Sequence, residues 1–155
     1  MIEIVRATTP SQIQTLRELF REYEAFLQVD LCFQRFEEEL ASLPGKYAPP
    51  QGALLLATAS GKAAGCVAMR PHDAGVCEMK RLYVRPAYLR QGIGKKLALS
   101  VIERAGEAGY ARMRLDTLEK LGPALSLYAA LGFQKCPPYY ENPLPGVIYM
   151  ERTLR

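Results

Sequence analysis

The sequence has 155 residues, of which 49% are hydrophobic and 23% charged, a composition typical of a globular protein with one domain, residues 1–155. Its 20 basic and 16 acidic residues give a net charge of +4 without a dense Lys/Arg tract, so no nucleic-acid partner is expected. No apolar run approaches the roughly 20 residues that cross a bilayer. The N-terminal segment also lacks the apolar core of a signal peptide. We therefore expect a cytoplasmic protein with no membrane partner.

The cysteines and the one histidine argue against several kinds of site. The cysteines are scattered, none forms a CxxC pair, and His72 stands alone. A zinc site needs a closer set of ligands, and a Cys–His or Ser–His nucleophile needs a motif that the sequence lacks. We expect no metal, and free thiols in a reducing compartment at Cys32, Cys66, Cys77 and Cys136.

The first part of the chain predicts a strand followed by a helix. Residues 2–7 alternate apolar and polar side chains, as a half-buried strand does. Thr9, Pro10 and Gln12 then form a capping-box pattern with proline at the first helical position. Apolar residues recur at helical spacing as far as Leu27, so the helix is predicted to span residues 10–27.

A second, shorter helix is predicted over residues 33–43, followed by a Pro/Gly loop. Three consecutive antiparallel strands come next. They are predicted at residues 53–59, 63–71 and 76–84, joined by turns at 60–62 and 72–75.

The remainder of the chain alternates helices and strands. The predicted elements are, in chain order, a helix at 92–109, a strand at 111–117, a helix at 123–132, and strands at 133–136 and 146–154. Met113 and Leu115 should lie on one face of their strand. The strand at 76–84, the helix at 92–109 and the strand at 111–117 form a βαβ unit, whose strands should be parallel with a right-handed crossover. The order as a whole predicts a mixed-sheet α/β domain.

The stretch YLRQGIGKKLAL places two glycines, Gly92 and Gly94, at the start of a predicted helix. A helix start presents unpaired N–H groups and a positive dipole end, and glycine lets a phosphate approach the main chain. Arg90, Lys95 and Lys96 add positive charge, so a pyrophosphate would fit. On spacing alone, a tight turn with solvated basic residues explains the pattern equally well. The third glycine of the dinucleotide fingerprint and the GK[ST] ending of a P-loop are both missing.

The segments EMKRLYVRPAYLRQGIGKKL and, further along, LYAALGFQ together resemble the GNAT superfamily of N-acetyltransferases. The similarity covers the element order of almost the whole chain. It implies an α/β (α+β) fold with a mixed, mostly antiparallel central sheet flanked by helices. The strands at 76–84 and 111–117 would form its parallel, splayed pair. The resemblance also implies acetyl-CoA (CoA) as the cosubstrate.

The resemblance further implies which residues hold acetyl-CoA. Backbone groups of Leu82 and Val84 would pair with the pantetheine arm, and a backbone N–H of Leu82 or Tyr83, at a bulge, would stabilise the oxyanion. Two positions depart from the family pattern: Leu89 stands where the family has Arg or Gln, and Leu121 where it often has Asn. The turn that would carry the pyrophosphate consists of Arg90, Gln91, Gly92, Ile93, Gly94 and Lys95.

Glu78 is the candidate general base. Only a free amine attacks a thioester, and an alkyl ammonium has a pKa near 10.4, so a positioned base would help at neutral pH. By the resemblance, Glu78, four residues before Leu82, matches the base of those members that use a glutamate from this strand. The alternative is a surface carboxylate or an ion-pair partner of Lys80 or Arg81.

Tyr128, in SLYAALGF, is the candidate general acid. By the resemblance, it matches the tyrosine that protonates the departing CoA thiolate. The alternative is a core tyrosine, because Ala124, Leu127 and Leu131 lie close on the same helix.

The acceptor pocket is framed, in the family, by segments that match residues 23–36 and 137–146 here. Aromatic side chains together with a carboxylate suit an amine with an apolar body. Two adjacent tyrosines could equally well pin a Pro-rich loop. The candidate lining residues are Tyr23, Asp30, Phe33, Tyr139, Tyr140, Glu141 and Asn142.

Together, these features predict an acetyl-CoA-dependent N-acetyltransferase. The acceptor would be a small-molecule or amino-acid-like primary amine that attacks acetyl-CoA directly. A protein or peptide N-acetyltransferase and a non-catalytic acyl-CoA-binding sensor are alternatives. An open acceptor groove would favour a peptide, and a closed aromatic pocket would favour a small molecule. The sequence leaves the acyl-chain preference and the oligomeric state, a homodimer included, open.

Overall fold

A seven-stranded sheet runs through the computed structural model, which describes residues 1–154. Its strands are β1 Ile2–Arg6, β2 Ala53–Ala59, β3 Lys62–Asp73, β4 Val76–Val84, β5 Arg112–Leu118, β6 Gln134–Lys135 and β7 Val147–Thr153. They lie in the order β1-β2-β3-β4-β5-β7-β6, and only the β4–β5 pair is parallel. The predicted mixed, mostly antiparallel sheet is therefore confirmed.

Helices cover both faces of this sheet. The α-helices of the described residues are α1 Pro10–Leu27, α2 Phe36–Ser42, α3 Ile93–Glu107 and α4 Gly122–Ala130. Short 3₁₀ turns lie at Cys32–Gln34, Gly45–Tyr47 and Pro86–Tyr88. None of the helices in residues 1–154 is long and apolar enough to cross a membrane.

The start of α1 has the predicted capping box. The Thr9 hydroxyl accepts a hydrogen bond from the Gln12 N–H at 3.2 Å, and the Gln12 side chain accepts one from the Thr9 N–H at 3.1 Å. Pro10 opens the helix, where its missing N–H costs nothing. The helix also ends at Leu27, as the apolar spacing predicts.

The prediction of one helix over residues 33–43 is wrong. Arg35 has a φ of +56°, a left-handed conformation through which a helix does not continue, so α2 begins only after it. Upstream, Asp30 Oδ1 accepts the Cys32 N–H at 2.8 Å and fixes a separate 3₁₀ turn. This break leaves Gln34 in the turn, and its side chain reaches two residues of β4.

Several boundaries also differ from the prediction by one or two residues, those of β3 and β6 among them. β3 continues to Asp73, so only Ala74 and Gly75 connect it to β4, with Gly75 at a φ of +72° that suits glycine. The closing strand predicted at 133–136 is reduced to two residues, Gln134–Lys135.

The sheet separates two hydrophobic cores. Leu97 of α3 lies in one core together with Met113 and Leu115, which share a face of β5 as predicted. Leu16 and Phe20 of α1 are fully buried in the other core, beneath α1 and α2. Since helices cover both faces, access to the centre of the sheet depends on a gap between strands.

That gap lies between β4 and β5. Their parallel pairing ends at Glu78 with Arg114, and beyond it the described residues of the two strands do not pair. Arg81 has a φ of +61°, and the register of β4 against β3 shifts at the same place, which is the signature of a β-bulge. The bulge turns the end of β4 away from β5 and opens the sheet.

Candidate active site

Two clefts adjoin where β4 and β5 diverge. We call the first the apolar cleft; it has a volume of about 250 Å³ and lies between α1, α4 and the end of β4. The second, the polar cavity, measures about 40 Å³ and is walled by α1, β4, β5 and the loop before β7. The residues that line both are Tyr23, Leu82, Asp116, Thr117, Leu121 and Tyr128.

The apolar cleft has aliphatic and aromatic walls whose outer residues face solvent. Phe26 of α1 is 56% exposed and lies 6.0 Å, between ring centroids, from Tyr83. Leu89 is 55% exposed on the same cleft. Apolar side chains left uncovered at the edge of a cleft favour a ligand that covers them. Four of the residues predicted to bind acetyl-CoA line this cleft, namely Leu82, Tyr83, Val84 and Gly94.

The glycine turn lies at the end of this cleft, where α3 begins. Gly92 has a φ of +77° and precedes the helix, and a Cβ at this position would meet open space. The first hydrogen bond that closes a helical turn here runs from the Lys96 N–H to the Gly92 carbonyl at 3.1 Å. The N–H groups of Ile93, Gly94 and Lys95 therefore have no partner within the helix. The Ile93 side chain is buried, so this residue offers only its main chain to a ligand.

Positive charge surrounds the same turn. Arg90, Gln91 and Lys95 are exposed, and Arg90 has a φ of +65°. With the dipole of α3, these side chains make the turn suitable for an anion.

Tyr128 lies between the two clefts. It is 7% exposed, and its ring packs edge-on against Phe133 at 5.8 Å between centroids. Its hydroxyl makes no hydrogen bond to any residue in the described part of the chain. Burial raises the pKa of this hydroxyl, so it stays protonated at neutral pH. The residue is thus both a core tyrosine and an unengaged proton donor.

Glu78 is buried in a network of ion pairs and hydrogen bonds. Its Oε1 accepts from Arg70 Nε at 2.9 Å, its Oε2 accepts from the Tyr139 hydroxyl at 2.7 Å, and Lys80 Nζ is 3.8 Å away. Burial alone would raise the pKa of Glu78, but Lys80, Arg70 and Tyr139 outweigh it and hold the pKa below its usual value. Glu78 is not among the described residues that line the two clefts. Glu78 is an ion-pair partner of Lys80, as one interpretation of the sequence predicted. Its other cationic partner is Arg70 and not Arg81.

Asp116 of β5 is the carboxylate that faces both clefts. Its Oδ2 accepts hydrogen bonds from the Tyr140 hydroxyl and from Asn142 Nδ2, the latter at 2.7 Å, and its Oδ1 lies 3.5 Å from Lys80 Nζ. Burial would raise the pKa of Asp116, but Lys80 and the two hydrogen bonds lower it, so the carboxylate is ionised at neutral pH.

The residues predicted to line the acceptor pocket fall into two groups. Tyr23 and Asn142 line the polar cavity. Tyr139 and Tyr140 line neither cleft, but they bond to Glu78 and Asp116, so the two tyrosines do pin the loop to the sheet. The other predicted residues that line neither cleft are Asp30, Phe33 and Glu141.

Sequence reasoning missed Asp116, Lys80 and Gln34. Asp116 lies between Leu115 and Thr117 in the middle of a strand, where an acidic residue is unusual. An acidic residue inside a strand of the βαβ unit was the signal that could have indicated a role for Asp116. Gln34 carried no signal, because the left-handed turn beside it is not visible in the sequence.

Two adjoining clefts of different character suit an enzyme that transfers a group from one ligand to another. An elongated ligand with a phosphate near its middle or end fits the apolar cleft and the glycine turn, and a small polar ligand fits the adjoining cavity.

Comparison with known proteins agrees: residues 13–133 match the model of the acetyltransferase (GNAT) family. An uncharacterized N-acetyltransferase of Schizosaccharomyces pombe is 42% identical over 151 residues, which cover 96% of this chain and 93% of that protein. The chain therefore belongs to the GNAT family of acetyltransferases.

Solved structures share the same fold. An acetyltransferase of the GNAT family from Staphylococcus aureus superposes with a TM-score of 0.83 at 22% identity, over 100% of both chains. The PaiA N-acetyltransferase from Thermoplasma acidophilum, solved in complex with coenzyme A, gives a TM-score of 0.74 at 22% identity over 99% of each chain. The predicted GNAT fold is thereby confirmed.

Proposed function

We propose that the protein is an acetyl-CoA-dependent N-acetyltransferase that acetylates a primary amine of a small molecule. The observation that carries this proposal is the position of Tyr128, whose ring borders both clefts and whose protonated hydroxyl is unengaged by the described residues. A proton donor is useful at such a junction, because a thiolate leaves on one side while an amine attacks from the other.

Acetyl-CoA is proposed to occupy the apolar cleft. Its pyrophosphate would accept hydrogen bonds from the main-chain N–H groups at the start of α3, and its pantetheine arm would lie beside Leu82 and Val84. Family membership and the coenzyme A complex of the PaiA N-acetyltransferase support this placement. Acetyl-CoA supplies the activated acetyl thioester, and the chain supplies binding, orientation and proton transfer.

Two carboxylates are candidates to receive the proton of the amine. Both oxygens of Glu78 already accept hydrogen bonds, from Arg70 and Tyr139, whereas Asp116 faces both clefts. This geometry favours Asp116 as the group that receives the proton, directly or through water. Glu78, the base predicted from the sequence, would then fix the positions of the cationic side chains around it.

The negative charge that develops on the thioester oxygen also needs a donor. The main-chain N–H of Leu82 or Tyr83 is proposed for this role, since both residues follow the bulge at Arg81 and line the apolar cleft.

The polar cavity favours a small acceptor over a peptide. Its volume of about 40 Å³ holds roughly three water-sized groups. Tyr139 and Tyr140, bonded to Glu78 and Asp116, hold the loop before β7 against the sheet on this side. A peptide would need a longer groove at this point.

A panel of small primary amines, incubated with acetyl-CoA and analysed by mass spectrometry for N-acetyl products, tests the proposal. We expect a product from at least one small amine. A protein that binds CoA but acetylates none of them would contradict the proposal and favour a sensor. Acetylation of peptide amines alone would favour a protein N-acetyltransferase.

A further inference from the structure

A largely buried cluster of charges lies beside the polar cavity, and two of its four ion pairs are tightly closed. Arg81 donates to both oxygens of Glu39 at 2.8 and 3.0 Å, and Arg70 donates to Glu78 at 2.9 Å. Three cations and three anions give the cluster a formal charge of zero. Its members are Arg70, Lys80, Arg81, Glu39, Glu78 and Asp116.

The other two pairs, which Lys80 makes with Asp116 and Glu78, are loose. Lys80 Nζ lies 3.5 Å from Asp116 Oδ1 and 3.8 Å from Glu78 Oε2, and its one hydrogen bond goes to Gln34 Oε1 at 3.3 Å. An ammonium has three donors, and its hydrogen bonds to carboxylates are normally about 2.7–2.9 Å long. The Lys80 side chain is 3% exposed, so water does not satisfy it fully. Within this cluster, Lys80 is the cation that no carboxylate holds at hydrogen-bond length.

We infer that the acceptor is an α-amino acid, whose carboxylate binds Lys80 and whose amino group binds Asp116; this inference rests on the proposed acetyltransferase function. Lys80 Nζ and Asp116 Oδ1 are only 3.5 Å apart, so they match a ligand whose opposite charges are equally close. An α-amino acid carries both charged groups on one carbon. Because it is a zwitterion, it also leaves the neutral cluster neutral, whereas an alkyl ammonium would add an unbalanced buried charge.

The two clefts give this amino acid an orientation. Asp116 lines both clefts, whereas Lys80 lines only the polar cavity, so the amino group faces the thioester and the carboxylate points away from it. The cavity volume of about 40 Å³ holds the charged groups and little more, so the side chain should be small and aliphatic, lying against the apolar part of the wall. That part of the wall consists of Leu27, Leu31, Leu118 and Leu144.

The reaction balances with the groups present. The ammonium gives one proton to Asp116, and the amine nitrogen then bonds to the acetyl carbon while the carbon–sulfur bond breaks. Tyr128 gives its proton to the departing sulfur and regains one from the nitrogen, which loses its second proton as the amide forms. The products are an N-acetyl amino acid and CoA, and the proton on Asp116 passes to solvent.

Four acceptors that differ in the number and spacing of their charges test the inference. They are alanine, alaninamide, ethylamine, which is alanine without its carboxylate, and 6-aminohexanoate, whose two charges are far apart. We compare kcat/KM per concentration of the ammonium form, which is the form that the inference binds to Asp116, because a neighbouring carboxamide changes the pKa of the amine. Alanine should exceed the other three by about 10- to 100-fold, the range expected for a hydrogen bond to a charged group. Equal values would overturn the inference and leave the proposed function standing.

Lys80→Met tests the assignment of the carboxylate to Lys80. In this variant the advantage of alanine over alaninamide should disappear. Lys120→Met is the matched control, since Lys120 Nζ donates to the Leu27 carbonyl at 2.7 Å and the residue does not line the cavity. An advantage that survives Lys80→Met would overturn the assignment. If Lys80→Met does not fold, the comparison of the four acceptors with the unaltered enzyme decides the inference. No acetylation of any amine would instead contradict the proposed function itself.

Discussion

The apolar cleft and the polar cavity adjoin at Tyr128, yet they are built in opposite ways. The apolar cleft offers main-chain groups and partly exposed apolar side chains such as Phe26 and Leu89, which a ligand can cover. The polar cavity offers charges such as Lys80 and Asp116 that already have partners. A ligand gains binding free energy in the apolar cleft by covering apolar surface. In the polar cavity it gains binding free energy only by replacing the ionic contacts that already exist there. We therefore propose that shape binds the cosubstrate and that charge selects the acceptor.

Removing the hydroxyl at the junction should have the largest effect. Tyr128→Phe should lower kcat by about 10²- to 10⁴-fold, because the thiolate loses its proton donor. The dissociation constant of CoA should change little, since the ring remains. Kinetics and calorimetry on the same preparation separate these two quantities.

Tyr23→Phe is the matched control for that variant. Tyr23 also lines both clefts, makes no hydrogen bond within residues 1–154, and has its pKa raised by burial to about 12. Because the two hydroxyls are alike in these respects, the comparison decides which one is the donor, and the assignment to Tyr128 predicts a near-normal kcat for Tyr23→Phe. A large loss of kcat in Tyr23→Phe and none in Tyr128→Phe would reverse the assignment. If Tyr128→Phe lowered only the melting temperature, Tyr128 would be a purely structural residue.

The next largest effect should come from the carboxylate that faces both clefts. Asp116→Asn should lower kcat/KM for the amine by about 10- to 100-fold, because a hydrogen bond to a charged group is lost. The pKa values of Asp116 and Glu78 are both lowered, so both carboxylates are ionised at neutral pH. Because ionised Asp116 receives the proton of the bound ammonium, kcat/KM of the parent should change little between the pKa of Asp116 and that of the acceptor's ammonium. In the variant only the free amine can react, so kcat/KM should instead rise with pH toward the pKa of the ammonium. A parent whose kcat/KM rises in the same way would show that Asp116 does not receive the proton.

A smaller effect, confined to the cosubstrate side, should follow Gly92→Val. The side chain would occupy the space beside the N–H groups that receive the pyrophosphate, and CoA affinity should fall by about 10-fold or more, the equivalent of 1.4 kcal/mol. Gly61→Val is the matched control, with a φ of +82° and open space around its Cβ but a place in the β2–β3 hairpin turn. It carries the same backbone strain and should bind CoA normally. Equal CoA affinity in Gly92→Val and the parent, by calorimetry, would move the pyrophosphate elsewhere.

Glu78→Gln should have the smallest effect on turnover and a clear effect on stability. Arg70 and Lys80 would lose a buried counter-charge, so we expect a loss of about 3 kcal/mol in the free energy of unfolding. The pKa of Glu78 is held below its unfolded value, so its charge stabilises the fold above about pH 4.3. That contribution is lost as the pH falls through the folded pKa. The melting temperatures of parent and variant should therefore converge in acid. A large loss of kcat that is greatest at low pH would restore Glu78 as the base.

The parts of the fold that the sequence predicted are those with local signals. The capping box of Thr9 and Gln12 and the glycine turn at Gly92 each depend on neighbours within a few residues, whereas the role of Tyr128 was expected only from the resemblance to the GNAT superfamily. The hydrophobic alternation of β5 likewise predicted which face is buried. Such signals act through backbone conformation and side-chain periodicity, which a short segment already contains.

The charge cluster could not be predicted in this way. Lys80 and Asp116 meet because β4 and β5 are parallel and then diverge at a bulge, and neither the register nor the bulge has a local signature. Gln34 reaches them only because Arg35 adopts a left-handed conformation that its residue type does not favour. The specificity of the cavity therefore depends on contacts between distant parts of the chain.

Amide hydrogen exchange with and without CoA tests most directly the claim that the two clefts bind different ligands. CoA alone should slow exchange at residues 82–84 and 92–95, where main-chain N–H groups border the apolar cleft and the glycine turn. CoA should slow exchange in β2, Ala53–Ala59, no more than a general stabilisation of the whole fold would. Protection at neither 82–84 nor 92–95, with new protection confined to the loop before β7, would place CoA in the polar cavity and contradict the account.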